Sequence, residues 1–438
     1  AQAIAFDAAS FTPAAMGFLA ANSQDVSVAV NGYLATSGTN AHGIVAQSIA
    51  GGGGLAGGSL GGFAGSIGSG GTAGNVSVTQ SGTLDASGAG SAGIFAQSEG
   101  GDDHGTVNVV INGAVQGGSG SGAGVWVASG VNNRLQINAG ASLGARSNVA
   151  ARFDGKSNGV YGSTLTVDNY GTLKGDVICQ NADGNTACQL DNQAGAVATD
   201  ALAYDANVDN AGLIVSGRPG RFQTLRVAGD LTQSASGVLR ADVDFDRMRS
   251  ARMLVQGDAD LAGWADVLPH ALLPNRELTV LTVQGDMEGS LRAVDSAVFD
   301  YEARRVGRDV RMRVASADFD APAMGLRANQ RQVAGHLQRI WDAGGNSALA
   351  PLFARLDIAA RQGASSYRRS VTDLSPGVTI APAAQSASNL GIFTSTMMSC
   401  PAFTGVDAMT GERDCFWGQA TGRFTTQDGS KGVAGLSR

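Results

Sequence analysis

Gly43-Ile44-Val45-Ala46-Gln47-Ser48 is spelled again as Gly93-Ile94-Phe95-Ala96-Gln97-Ser98 and, more loosely, as Gly124-Val125-Trp126-Val127-Ala128-Ser129. Each copy follows an alternating apolar strand and a Gly/Ser/Asn turn. A unit this short cannot bury an apolar face alone, so the copies must stack, and stacking predicts a solenoid. Ahead of the copies run strand-like segments at 26–30, 76–79, 107–111, 135–137 and 165–167. These end at Asn31-Gly32, Ser81-Gly82, Asn112-Gly113, Asn138-Ala139-Gly140 and Asn169-Tyr170-Gly171, and 208–212 is a shorter echo. Strand followed by Asn-Gly also fits a hairpin. A second strand at a fixed short offset (33–36, 83–86, 114–117, 142–145, 172–175) favours instead a right-handed parallel β-helix. One coil then reads strand, Asn-Gly bend, strand, Gly/Ser bend, strand. Inward Val, Ile and Leu stack over their equivalents, and Asn, which tolerates left-handed backbone, suits the bends and can form side-chain ladders there.

Composition agrees with many tight turns. Gly is 64 of 438 residues without the three-residue period of collagen, and an apolar fraction of 43% argues against disorder. The segment 51–74 is almost wholly Gly, Ala and Ser and reads as a loose loop between coils. A net charge of −7 and a pI near 5.1 leave no electrostatic footprint for nucleic acid. Residues 1–150 carry only Asp7, Asp25, Asp85, Glu99, Asp102, Asp103, Arg134 and Arg146 as charges, whereas 221–315 is dense in both signs. That contrast predicts two regions with different structural duties, a repeat region over 1–221 and a better packed terminal cap over 222–320, as solenoid ends require. In the cap, runs at 225–232, 237–243, 253–263, 278–283 and 310–314 are strands whose outward Arg and Asp discourage edge pairing.

Helical period begins near 326, with Leu326, Val333, Leu337, Ile340 and Trp341 on one face and Gly344-Gly345 as the stop. Leu349, Leu352, Phe353 and Leu356 predict a second helix inside a linker region, 321–415, of which 375–399 is small and polar. Strand-like alternation returns at 415–424. The cysteines form two close pairs, Cys179/Cys188 and Cys400/Cys415, which suits local disulfides in an oxidising compartment, with a hairpin clip the expected form of the first. No signal peptide is visible at Ala1, which suggests a processed or trimmed chain, and no apolar run reaches the ~20 residues of a membrane helix.

No motif for catalysis, metal or cofactor emerges. Asp102-Asp103-His104 reads as a solvated loop, His42 as a solvated turn residue, His336 as a helix surface residue, and His270 belongs to no metal motif. Gly68-Ser69-Gly70 and 118–122 approach a Gly-x-Ser-x-Gly nucleophile motif, yet have no assignable His or Asp partner. Asp242, Asp244 and Asp246 alternate and read as a solvated outward face, with calcium a distant second. Phe95 and Trp126 hold equivalent repeat positions and are expected to stack as packing residues, as are Trp264 and Trp341.

The order of elements resembles an autotransporter, a type V secretion protein of Gram-negative bacteria. The phrases carrying the resemblance are Leu225-x-Val227-x-Gly229-x-Leu231-Thr232, Gly237-x-Leu239, Leu254-Val255-x-Gly257-x-Ala259-x-Leu261-x-Gly263 and Leu278-x-Val280-Leu281, similar to the autochaperone segment of such passengers. Asn329-Gln330-x-x-Val333-Ala334 looks like the lead-in to a translocator, and Phe416-Trp417-Gly418 like entry into its first barrel strand. Ala251-Arg252-Met253 stands where the family often has Ser-Asp. Only about 20 residues follow Trp417, against at least ~8 strands for a closed barrel, so 416–438 would be the truncated start of the translocator. The resemblance implies a secreted or surface-displayed chain, anchored to the outer membrane in its parent. The repeat, the low charge and the missing catalytic grouping lead to an expectation of no enzymatic activity, with partners among host or neighbouring-cell surface molecules and the outer-membrane assembly machinery. A monomer with possible self-association is expected, acting in adhesion, aggregation or biofilm contacts. The competing expectation is a β-helix polysaccharide lyase or hydrolase.

Overall fold

In the computed structural model, residues 22–50, 71–155, 163–181 and 188–374 are described, with Leu390 and the short antiparallel pair Thr426–Gln427 and Leu436–Ser437. They form a mostly parallel, all-β, solenoid-like fold followed by three helices. The loose segment 51–70, the pair Cys400/Cys415 and the strand-like run at 415–424 lie outside the described residues.

Strands Val26–Thr36 and Val76–Ala86 each run through their bend, so that their two halves serve different sheets. Equivalent residues pair in parallel from coil to coil, which rules out the hairpin alternative. In sheet one Val76 lies opposite Val107, in sheet two Thr83 opposite Ala114 and Ala114 opposite Ser142, and in sheet three Ile44 opposite Ile94 and Ile94 opposite Val125. The three Gly-Ile-type copies are therefore successive rungs of one ladder. Alternation sends every second side chain inward. The inner row of sheet one reads Val28, Val78, Val109, Leu135, Val167, Leu190, Val208, Leu231, Ala259 and Met287, and every member is buried. Each fully buried Val or Leu contributes about 1.5–3 kcal/mol, and no coil could obtain that alone.

The Gly that opens each repeat copy has a packing reason. A Cβ at Gly93 would lie 2.7 Å from the Val115 side chain and 2.6 Å from the Gly124 carbonyl. At the bends, Gly82 has φ +93° and its backbone lies directly on that of Gly32, so a side chain there would meet both strain and collision.

The inward position at the end of the sheet-one strand changes character along the solenoid. Val30, Gln80, Ile111 and Ile137 occupy it in turn in the early coils, and a continuous run of amides, Asn169, Asn192, Asn210 and Gln233, follows. All four amides are buried. Asn169 Nδ2 donates to Asn192 Oδ1 (2.8 Å), Asn192 Nδ2 to Asn210 Oδ1 (2.8 Å), and Asn210 Nδ2 to Gln233 Oε1 (3.3 Å). The second Nδ2 proton of Asn192 reaches the Leu213 carbonyl at 3.2 Å, so each amide also ties the bend to the next coil's second sheet. This is the side-chain ladder expected at stacked bends, and it is saturated, as a buried polar row must be.

Cys179 and Cys188 are joined, with Cα atoms 6.2 Å apart. The clip is not a hairpin. Cys179 belongs to the sheet-three strand Thr172–Asn181 and Cys188 to the sheet-one strand Cys188–Asn192, both paired in parallel with other coils, so the bond spans a corner. Turn-forming residues serve a solenoid corner as well as a hairpin, which is why the intervening sequence did not discriminate.

Beyond residue 222 the register continues unbroken, with Leu225 opposite Met253 and Val208 opposite Leu231. The last large strand, Asp309–Ala317, turns antiparallel on Glu277–Val283, and Arg311 and Arg313 fall at alternate positions along it. The described residues fall in two compact units, one up to Asp295 with Asp300–Ala315, the other from Ser296–Phe299 and the residues from Ser316 on. The second unit holds α1 (Ala328–Asp342), α2 (Ala350–Gln362) and α3 (Ala364–Asp373). Helix α1 buries Leu337 and Trp341 and ends where Gly344 and Gly345 donate to the Trp341 and Ile340 carbonyls, as the sequence predicts. Trp341 meets Phe299 and Phe353 edge-on at 5.4 and 5.2 Å between centroids. Helix α3 was not expected. It buries only Tyr367 and Val371, too few apolar positions for periodicity to register. Among the described residues no helix is long and apolar enough to cross a membrane.

The amide ladder gives a direct test. Asn192→Ala leaves the Asn169 donor and the Asn210 acceptor buried without their partner, so urea unfolding should show a loss of about 1–3 kcal/mol. The exposed Asn112, linked to Asn138 at 2.6 Å, should tolerate the same change within about 0.5 kcal/mol. Equal effects at the two positions would show that the buried row carries no special weight.

Candidate functional site

With inner rows closed by packing, chemistry is left to the outer rows and the corners. On sheet one the outer row that holds Ala29, Thr79, Val110 and Gln136 in the early coils turns acidic later. Asp168, Asp191 and Asp209 lie directly opposite one another in successive coils, with Asp260 and Glu288 further along. At the bends that lead into the same sheet, Asn207 Oδ1 accepts from Asp230 N–H (3.0 Å), Asp230 Oδ1 from Asp258 N–H (2.8 Å) and Asp258 Oδ1 from Asp286 N–H (2.8 Å). Each carboxylate thus caps the next coil. Arg134 reaches Asp168 at 2.6 Å. Asp191 sits in the middle of the row, and its carboxyl is held above the usual carboxylate range by burial first and then by the charges of Asp168 and Asp209, against the Gln189 hydrogen bond and Arg134, which pull it down. The signal was present in sequence as the recurring Gly229-Asp230, Gly257-Asp258 and Gly285-Asp286, which the search for catalytic patterns passed over.

On sheet three, Val45, Phe95, Trp126 and Arg152 form one outer row. Phe95 and Trp126 stack edge-to-face at 5.2 Å, both buried, as the repeat positions predict. The Arg152 guanidinium lies 4.3 Å from the Trp126 ring centre, and Trp126 Nε1 donates to Asp154 at 2.8 Å. His42 is no solvated turn residue. Its ring stacks on Phe95 at 5.4 Å, and its Nδ1 accepts the Ala92 N–H at 2.8 Å. His104 is likewise buried, its Nδ1 accepting the Gly100 N–H at 3.0 Å, while Asp102 and Asp103 are exposed as expected. His42 fills a corner where the neighbouring coil supplies the backbone N–H, a partner that no local sequence pattern announces, whereas His104 is bound within its own loop.

A third cluster lies at the corner between sheets two and three. Asp242 and Asp244 point outward from Val238–Asp244, but they are 1% and 3% exposed and not a solvated face; Asp246 is half-buried. Corner loops cover them. Asp242 Oδ1 lies 2.5 Å from His270 Nε2, and its Oδ2 accepts the Gly220 N–H at 3.2 Å. Asp244 accepts the Arg247 N–H at 2.9 Å and stands 3.5 Å from the Arg249 guanidinium, which lies over the Phe222 ring at 4.6 Å. The group pins the loops at 216–223 and 245–250. Trp264, half-buried, packs under Arg292 at 4.1 Å, and His336 is exposed on α1.

A histidine–carboxylate pair is half of an acid–base device, but its second half needs a nucleophile beside the ring. The 118–122 match is a bend closed by Gly122 N–H to the Ser119 carbonyl (3.0 Å), in an earlier part of the solenoid than His270. Gly68-Ser69-Gly70 lies outside the described residues. Among the described residues no group of three or more His, Cys, Asp or Glu is arranged to hold a metal ion. What the outer surface offers is a long carboxylate row and an arginine-bearing corner, the Phe95–Trp126 pair being buried.

The Asp191 row carries a pH dependence. Its folded pKa lies above the unfolded value near ~3.9, so the charged form is disfavoured by folding and stability falls as pH rises through the folded pKa. Asp191→Asn should therefore stabilise the chain at pH 7 by on the order of 0.2–1 kcal/mol, with the gain shrinking as pH drops toward ~4. Thermal unfolding of both proteins across this range checks it; a gain that grows on acidification contradicts the reading.

No family model matches this chain, and no curated protein matches it.

Proposed function

We propose that this chain is the passenger of an autotransporter, a secreted or surface-displayed right-handed parallel β-helix that acts as a structural adhesive stalk in adhesion, aggregation or biofilm contacts. The single observation that carries the reading is the unbroken parallel register from Val26–Thr36 to Met287–Gly289, which turns the outer rows into long regular faces. Parallel strand crossovers are right-handed in nearly all proteins, which supports the hand. Phrases 225–232 and 253–263, similar to an autochaperone segment, support the secretion class and the terminal cap. In the full-length parent the chain is anchored to the Gram-negative outer membrane through a barrel and its assembly machinery. Extended faces of this kind work by many weak contacts, multiplied between cells by avidity. Cells that display the parent should clump and hold host surfaces more than cells lacking it, measured by settling and adhesion counts; no difference between the two removes the role.

The autochaperone part of the proposal has its own test. Residues 222–314 include Gln233, which terminates the buried amide row, and the antiparallel closing strand. Folding that starts from this end and proceeds by stacking would draw the chain outward without a nucleotide fuel. A chain lacking 222–314 should refold slowly and be cut readily by protease between 25 and 220. Refolding as fast as the whole chain overturns the idea.

A further inference from the structure

Charge in the later coils is sorted by side. Asp209, Asp230, Asp258, Asp260, Asp286 and Glu288 are all exposed on sheet one or the bends leading into it. Among the described residues no cationic side chain forms an ion pair with any of them. In a three-sided coil the corner between sheets two and three lies opposite sheet one. At that corner stand Arg218 and Arg221 in one coil, Arg247 and Arg249 in the next, and Arg276 in the one after, all exposed. Arg218, Arg221 and Arg276 form no ion pair with a described carboxylate, and Arg247 and Arg249 share Asp244 at 3.7 and 3.5 Å. The later coils therefore carry unbalanced negative charge on one side and, with five Arg against Asp242, Asp244 and Asp246, an excess of positive charge on the other. The earlier coils, with Ser27, Ser77 and Asn108 on sheet one, show no such sorting.

We propose that copies of this chain associate side by side, the acidic sheet-one face of one copy docking on the arginine corner of the next. The proposal rests on the adhesive reading above and names the partner of that surface as a second copy. Charge complementarity chooses the partner: both halves of the contact sit at the same levels of one rod, so a parallel neighbour brings them into register over several coils at once. Strands repeat about every 4.8 Å along the rod, so the two charge rows share a spacing. The contact is heterologous. Each docked copy leaves one acidic face and one corner unused, so association continues into an open array and does not stop at a dimer. Exposed charges at these distances are screened by salt, so the array must be salt-labile.

Sedimentation of the full chain tests it. At about 20 mM salt the mean mass should rise with protein concentration, and at about 0.5 M salt it should fall to the monomer. Asp209→Lys with Asp260→Lys, and separately Arg218→Glu with Arg221→Glu, should each be monomeric at low salt with thermal midpoints near that of the parent. Mixed in equal amounts, the two variants should associate again, because the Arg corner of the first meets the acidic face of the second and the Glu corner of the second meets the Lys face of the first. The proposal is overturned if the parent chain stays monomeric at low salt, if its association ignores salt, or if the mixed variants do not pair. A chain that stays monomeric yet binds a lysine-rich peptide through the same carboxylates also overturns it and assigns the face to a foreign partner. The outcome separates from that of the cell assay: purified chains that associate while displaying cells do not clump sink the adhesive role and leave this contact standing, and clumping cells with a monomeric chain do the reverse.

Discussion

Every level of this structure depends on one coil lying in parallel register on the next. Backbone hydrogen bonds set the spacing, and the inner rows Val28 to Met287 supply the apolar contact that no isolated coil could hold. Register is all or nothing here, because a slip of one residue would turn Val78 and Val109 outward and bring Ser77 and Asn108 in. The amides of Asn169, Asn192, Asn210 and Gln233 sharpen that choice. Each amide pairs with the one at the equivalent position in the next coil, so the buried row penalises any slip with an unpaired donor. The bends enforce it a second time, since Gly82 fits only against the bare backbone of Gly32.

Much of this was legible in the spelling of the chain. The Gly-Ile-x-Ala copies, the second strands at fixed offset and the Asn-bearing bends correspond residue for residue with the three sheets, because each signal is local and repeats. Legibility failed where a neighbour along the rod makes the environment. Asp242 and Asp244 look solvated by alternation, yet Asp242 is held by Gly220 of another coil and Asp244 by the loop that follows it. His42 looks like a turn residue and is held by a backbone N–H of the next coil, and His104 is buried by a bond that closes its own loop. Cys179 and Cys188 could be paired from spacing, but a corner and a hairpin use the same turn residues. The capping carboxylates Asp230, Asp258 and Asp286 are visible as a repeated Gly-Asp, whose meaning lies between coils and not within one.

The division of labour between faces follows from the same constraint. Since inner positions are fixed by stacking, variation is free only outside and at corners, and there the chain places its polarity. Early coils keep outer rows of Ser, Thr and Asn around a buried Phe95–Trp126 pair, while later coils carry the sorted charge. The helices of the second unit use a different logic, an aromatic cluster of Phe299, Phe319, Trp341 and Phe353 with the Tyr367 hydroxyl bound to the Phe319 carbonyl at 2.9 Å.

The corner disulfide has a mechanical consequence. Cys179 and Cys188 are separated by 9 in sequence, so the bond locks one short loop and nothing beyond it. Pulled by its ends, the rod can peel a coil at a time, because each coil is held chiefly by its immediate neighbours. Nearly the whole contour would pay out under tension, with the force resetting after every coil lost. A covalent link between distant coils would have made the same rod brittle; this one leaves it extensible.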